Sequence, residues 1–191
     1  MWNSMLEILK QKAAAGVDVR FIYDDVGSLF KLPGGYYRAM EKAGIRCICF
    51  NPFVPFWSMI MNNRDHRKIL VIDGHTAFTG GINLADEYIN RVERFGYWKD
   101  TGLRLEGEGV WSFTVMFLEM WDYIYKTRET DLSKFRPETY QTEPFLSDGF
   151  VQPYTDSPLD HETVGENIYL NIINRAEKYV YIFTPYLITD N

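Results

Sequence analysis

His66-Arg67-Lys68-Ile69-Leu70-Val71-Ile72-Asp73-Gly74, followed by Thr79-Gly80-Gly81-Ile82-Asn83, is the stretch on which the fold turns. Ile69 to Ile72 are consecutive aliphatic residues closed by Asp73-Gly74, which predicts a buried strand ending in a turn. Strand side chains alternate between faces, so His66 and Lys68 project to one side while Arg67 and Asp73 fall on the other. Thr76 to Thr79 is expected to return antiparallel. Gly80-Gly81 then lets the backbone turn sharply and brings the Asn83 amide back toward His66 and Lys68. An imidazole, an ammonium and a carboxamide converging on one spot suit a tetrahedral phosphate: one nucleophile or proton carrier and two neutralising donors. Taken singly, a histidine beside a strand is ordinarily a surface or core residue, and Gly-Gly is ordinarily a turn. The joint spacing is what carries the reading.

The rest of the chain predicts an α/β fold. Trp2 to Ala15 has apolar residues at helical spacing and closes on Gly16, leading into an alternating strand from Val17 to Tyr23. Gly34 to Ala43 is a second helix, closed by Gly44, before the strand Ile45 to Phe50. Helix, glycine and strand repeated in this way imply a mixed, largely parallel sheet flanked by helices. Leu84 to Arg91 reads as a short helix, Phe95 to Leu105 as a strand, and Gly109 to Arg128 as a long helix whose Trp111, Val115, Leu118, Trp121 and Tyr125 stripe is core packing. Prolines 137, 144, 153 and 158 break periodicity and mark a linker over 132–158. Asn167 to Lys178 is a further helix and Tyr179 to Phe183 a strand. The expected division is 1–131, a first lobe incomplete at its N-terminus; 132–158, a linker; and 159–191, the truncated start of a second lobe.

With 46% hydrophobic residues the chain can bury a real core, and its net charge of −6 argues against nucleic acid as a partner. An anionic substrate must be attracted locally, and Arg64, His66, Arg67 and Lys68 form the obvious cluster. Cys47 and Cys49 share a strand face, cannot readily bridge each other, and lack companions for a metal site. Reduced thiols of this kind suit a domain facing the cytoplasm. No signal peptide or bilayer-spanning run is evident. Asn51 to Met61, with two prolines and several large apolar side chains, reads either as a loop over the core or as an apolar lip toward a membrane surface.

His-x-Lys-x4-Asp followed by Gly-Gly-x-Asn resembles the HKD signature of the phospholipase D superfamily. Gly16-Val17-Asp18-Val19-Arg20, Tyr23-Asp24-Asp25-Val26-Gly27-Ser28, Phe78 to Tyr88 and Tyr97 to Thr101 make the chain most similar, within it, to bacterial cardiolipin synthases. The resemblance implies two α/β lobes, each giving one HKD motif to a shared site. It further implies transfer of a phosphatidyl group between two phosphatidylglycerol molecules, through a phosphatidyl-histidine, to give cardiolipin and glycerol. His66 would be one of the two imidazoles, as nucleophile or as acid; Lys68 and Asn83 would bind phosphate oxygens. Asp73 completes the catalytic motif, though strand parity suits it to a structural place. No cofactor or metal is implied. The partners implied are an anionic phospholipid and a membrane surface, and the setting a bacterial cell membrane with this domain on the cytoplasmic side.

Only one such motif is present, since His75 and His161 lack the spacing. The expectation is that the chain is a fragment, and inactive as a monomer. A homodimer or a missing second lobe would have to complete the site. Two alternatives stand beside this: a homodimeric phosphodiesterase or nuclease of phospholipase D type, and an inactive fragment. The terminal helix and strand, 167–186, would fold back onto a vacant sheet edge or swap into a neighbouring chain.

Overall fold

Trp2–Ala14 (α1) places Trp2, Leu6, Leu9 and Ala13 at intervals of three and four, one stripe that packs on buried Met40, Ile45 and Cys47. Gly16, at φ 89°, takes the left-handed turn that ends the helix and aims the chain into the first strand. The structure is a computed structural model that describes residues 1–28, 31–51, 64–94, 96–127, 131–140, 149–156 and 162–184. Its contacts divide the chain into two compact units, Met1–Gln152 and Pro153–Asn191.

In the first unit, Arg20–Asp24 (β1) pairs in parallel with Arg46–Phe50 (β2), Arg20 opposite Arg46 and Asp24 opposite Phe50. A parallel pair needs a crossover. A single turn of helix, Asp25–Ser28 (α2), follows β1 directly. Tyr36–Lys42 (α3) also lies in that connection, burying Met40 against Ile45 and Cys47. Ile69–Ile72 (β3), Thr76–Gly80 (β4) and Gly102–Glu106 (β5) form a separate antiparallel sheet in that order. Val110–Tyr125 (α4) covers one face of it, where Val110, Phe113 and Met116 meet Ala77, Ile69, Val71 and Leu105. α4 also lies against β2, and so braces both sheets from one side.

The α/β class and the mixed pairing stand. Among the described residues the parallel share is smaller than expected, confined to β1 and β2. The reason lies in the connections: Asp73-Gly74 allows only a hairpin, whereas a parallel return needs a crossover of a dozen or more residues. Asp73 and Gly74 take φ of 53° and 64°, and His75 N–H closes the turn on the Ile72 carbonyl at 3.0 Å.

Several expected elements are shorter. Leu84 to Arg91 reduces to one 3-10 turn, Asp86–Ile89, stopped by Asn90 at φ 57°. The strand expected from Phe95 begins only at Gly102. Just before it, the Trp98 N–H goes to Asn90 Oδ1 at 2.6 Å and the Trp98 carbonyl accepts from Asn90 Nδ2 at 2.8 Å. With both main-chain groups occupied by one side chain, Trp98 has none left for a ladder.

Part of the stretch read as a linker is packed. Ser133–Phe135 forms a 3-10 turn, the Phe135 ring lies 4.9 Å beneath the Arg20 guanidinium, and Arg136 sits 4.3 Å over Trp111. The second unit contains Val164–Asn174 (α5), begun where Asp156 Oδ2 accepts the Gly165 N–H at 2.8 Å. Tyr179 to Phe183 is not a strand, and Phe183 is 98% exposed. A strand requires a ladder partner for its backbone, and among the described residues none pairs with it. The apolar stretch 52–63 lies outside the described residues, and among those described no helix is long and apolar enough to cross a membrane.

Candidate active site

The hairpin of β3 and β4 organises the site. Ile69 stands opposite Thr79, so continuing that register by one residue sets Lys68 beside Gly80, where the chain enters the Gly80-Gly81 turn. His66, Lys68, Gly80 and Asn83 line one open cleft of about 2350 Å³, with Tyr88 and Asp100 on its wall. The His66 imidazole is exposed and makes no hydrogen bond to a described residue. Lys68 is half-buried, and its Nζ donates to the His66 carbonyl at 2.6 Å. Asn83 Nδ2 donates to the Tyr88 hydroxyl at 3.0 Å, which leaves its carbonyl end for another partner. Asp73 stands in the hairpin turn, at the other end of β3 from His66 and Lys68, with the length of the strand between them.

Both glycines are there for space. A Cβ on Gly80 would lie 2.9 Å from the Thr101 carbonyl oxygen, and one on Gly81 would lie 2.7 Å from Asp100 Oδ1. Asp100 is held in that position by the Thr101 N–H at 2.8 Å and Trp98 Nε1 at 3.2 Å. Its carboxylate thus lies against Gly81 and acts on the charge of Lys68.

The four-cation cluster expected at the site is partly neutralised in the structure. Arg67 forks onto Asp65, Nε to Oδ1 at 2.9 Å and Nη2 to Oδ2 at 2.8 Å. Arg64 pairs with Asp24 at 3.5 Å and donates to the Asn51 carbonyl at 3.1 Å. Placing these guanidiniums beside carboxylates neutralises them locally. All four still line the cleft, the two guanidiniums as members of ion pairs.

The titration behaviour follows the same layout. Burial works to raise the Asp65 carboxyl, but the Arg67 hydrogen bonds and charge outweigh it and hold Asp65 below 3.8. Arg67 is raised in return, chiefly by its hydrogen bonds to Asp65. Lys68 is lowered from 10.5 because burial disfavours its charge, and the Asp65 and Asp100 carboxylates recover only part of that. A partly desolvated ammonium beside an exposed imidazole is a fitting arrangement for an anionic, tetrahedral ligand.

Three residues of this site escaped the reading of the sequence: Asp24, Tyr88 and Asp100. Asp24 closes a strand at its carboxyl end, where sheet ligands commonly gather, and it lies in the Tyr23 to Ser28 stretch that carries the family resemblance, but neither assigned it a role at the site. Asp100 lies in an irregular segment and Tyr88 in the 3-10 turn Asp86–Ile89, neither with a periodicity to place it.

Residues 2–94, from α1 to just past the Asn83 turn, match the family model described as the phospholipase D-like domain of cardiolipin synthase. Over residues 2–94 the chain is thus similar to a phospholipase D-like domain of the cardiolipin synthase type. Over its whole length it is 56% identical to an uncharacterized protein of Streptococcus mutans, covering 41% of that protein. It is 40% identical over 99% of its length to a cardiolipin synthase of Alkalihalophilus pseudofirmus, covering 37% of it. A cardiolipin synthase 2 of Bacillus cereus is 41% identical over 97% of the chain, which covers 35% of that protein. The chain therefore spans about two fifths of the length of the curated relatives it matches.

Proposed function

We propose that this chain supplies one side of a phosphatidyl-transfer site of the cardiolipin synthase type. The observation that supports it is the placement of His66 and Lys68 before β3 and of Asn83 after the Gly80-Gly81 turn on a single cleft, within the residues that match the family. In this reading the His66 imidazole attacks the phosphorus of one phosphatidylglycerol. The bond to the headgroup glycerol breaks, and that glycerol leaves with a proton from a second imidazole. A headgroup hydroxyl of a second phosphatidylglycerol then gives its proton to that imidazole and attacks the phosphorus. The bond to His66 breaks and cardiolipin departs. The roles of the two imidazoles can be exchanged without altering the balance. Lys68 and Asn83 bind the phosphoryl oxygens as charge develops on them.

The second imidazole is the missing piece. His75 occupies the hairpin turn away from Lys68, its Nδ1 3.0 Å from Thr76 Oγ1, and His161 lies outside the described residues. A second copy or a second lobe has to provide it. A phospholipid substrate requires the site to work at a membrane surface.

The test is conversion of phosphatidylglycerol vesicles to cardiolipin by the protein expressed from its native coding sequence. His66→Ala is expected to lower it by at least about 10²-fold, the range of a lost acid-base group. The 191-residue chain purified as a monomer is expected to make none. Unimpaired conversion by His66→Ala, or turnover by a verified monomer, would overturn the reading.

A further inference from the structure

The strand that leads out of His66 has no backbone ladder to β1 or β2: among the described residues the sheets are separate, β1–β2 and β3–β4–β5. Something other than sheet register must set where His66 stands against the first sheet. Asp24 is placed to do so. It is the last residue of β1, and its Oδ2 accepts the Asp65 N–H at 3.3 Å. Its Oδ1 lies 3.5 Å from Arg64 Nη1 and accepts the Gly27 N–H at 3.0 Å, so the same carboxylate is fixed from behind by α2. Arg64 extends the tie to the end of β2 through the Asn51 carbonyl at 3.1 Å. The Asp24 and Arg64 side chains are each 14% exposed, shielded enough for the pair to be geometrically selective rather than a loose surface contact.

The grip continues on the far side of the imidazole. The Asp65 carboxylate takes the Arg67 N–H at 3.0 Å and the Arg67 guanidinium fork. His66 is thereby held between a residue whose amide is tied to β1 and a residue folded back onto that same neighbour. We propose that Asp24 is a positioning residue for His66: its carboxylate sets the backbone from Arg64 to Asp65 and with it the direction of the imidazole into the cleft. The catalytic consequence rests on the transfer reading above; the positioning itself does not.

The experiment follows the His66 ring directly. Its imidazole ¹H–¹³C resonance is identified in the 191-residue chain by its loss in His66→Ala. Asp24→Ala is expected to shift that resonance toward its unfolded-chain position while the His75 resonance, in the hairpin turn, stays in place. Arg64→Met removes the ion pair from the other side without touching the Gly27 N–H, and is expected to shift the His66 resonance less, in the same direction. Asp24→Asn keeps one acceptor oxygen and should fall between them. In vesicle assays of the natively encoded protein, Asp24→Ala is expected to lower kcat by about 10²-fold with KM for phosphatidylglycerol unchanged, the size of effect that a misplacement of about 1 Å produces. An unmoved His66 resonance in both Asp24→Ala and Arg64→Met would overturn the proposal. Full conversion by His66→Ala would instead remove the transfer reading, while the resonances still decide the positioning.

Discussion

Lys68 Nζ donates a 2.6 Å hydrogen bond to the carbonyl oxygen of His66, so the ammonium is folded onto the backbone of the residue it stands beside. Burial lowers its pKa from 10.5, and the Asp65 and Asp100 carboxylates partly restore it. Asp100→Asn takes away one of the facing anions, so Lys68 is expected to titrate lower still. The measurement is the pH dependence of the Lys68 Cε and Nζ resonances; an upward shift in the variant would contradict this layout. The sign carries into stability. Between the lowered pKa and 10.5 the unfolded chain holds more protons at this residue, so its contribution to stability rises with pH across that window.

The hairpin turn makes a sharper prediction about the fold. Gly74 has φ 64°, and a Cβ there would lie 2.3 Å from the Phe135 carbonyl oxygen and 3.1 Å from Pro137 Cδ. The nearer obstacle is backbone, which cannot swing aside. Gly74→Ala is expected to cost at least about 2 kcal/mol, combining the left-handed penalty with overpacking. Asp73→Gly, at φ 53°, relieves a conformation that a side chain tolerates poorly and should change stability by less than about 1 kcal/mol. Urea midpoints of the two variants decide it, and equal losses would show that the contact with Phe135 is unimportant.

The cysteines are expected to be inert in the native chain. Burial pushes both Cys47 and Cys49 from 9.0 up to about 12, assisted at Cys49 by a hydrogen bond with Asp25. A thiol that titrates that much higher carries a thiolate fraction lower by about 10³-fold near neutral pH, and alkylation by iodoacetamide should slow accordingly relative to the urea-unfolded chain. Tyr23 is raised as well, first by burial and then by its contact with Cys49. For each group the folded chain keeps its proton longer than the unfolded one. The contribution of the two thiols to stability is therefore complete below pH 9 and is lost as pH rises toward 12. Fast labelling of the native protein would refute this account of the β1–β2 edge.

Local signals in the sequence located the elements whose cause is local. The Ile69 to Ile72 run, the Asp73-Gly74 turn and the spacing of Trp2, Leu6, Leu9 and Ala13 each act over a few residues, and each produced the expected element. Pairing was less legible, because the length of a connection, and not the strand itself, decides between parallel and antiparallel. The same limit applies to Trp98, whose backbone is taken up by Asn90, and to Tyr179 to Phe183, whose β-rich composition has no ladder partner among the described residues. At the site, His66 and Lys68 precede β3, so strand alternation does not act on them, and it is the hairpin turn that separates Asp73 from them. Alternation could not show that Asp24 and Asp65 neutralise Arg64 and Arg67, since nothing periodic in the sequence marks those contacts.

Arg20 links the core to the hairpin turn through aromatic faces. Its guanidinium lies 4.9 Å from the Phe135 ring centre and 5.4 Å from that of Trp121, and its Nη2 is 3.1 Å from Asp18 Oδ2. Two kinds of attraction are thus present, and salt separates them. An exposed ion pair is screened at about 1 M salt, where the Debye length is about 3 Å, whereas stacking of a shielded cation on rings is much less affected. Arg20→Ala is expected to cost about 2 kcal/mol in total, most of it persisting in high salt. Arg20→Lys should recover only part, because an ammonium lacks the flat face that lies against the rings. Since the Phe135 carbonyl also abuts Gly74, Arg20→Ala and Phe135→Leu should be coupled in a double-mutant cycle by about 0.5 kcal/mol or more. Additive losses, or a cost that disappears in high salt, would assign Arg20 to Asp18 alone and leave the hairpin turn to be held by the Phe135 backbone.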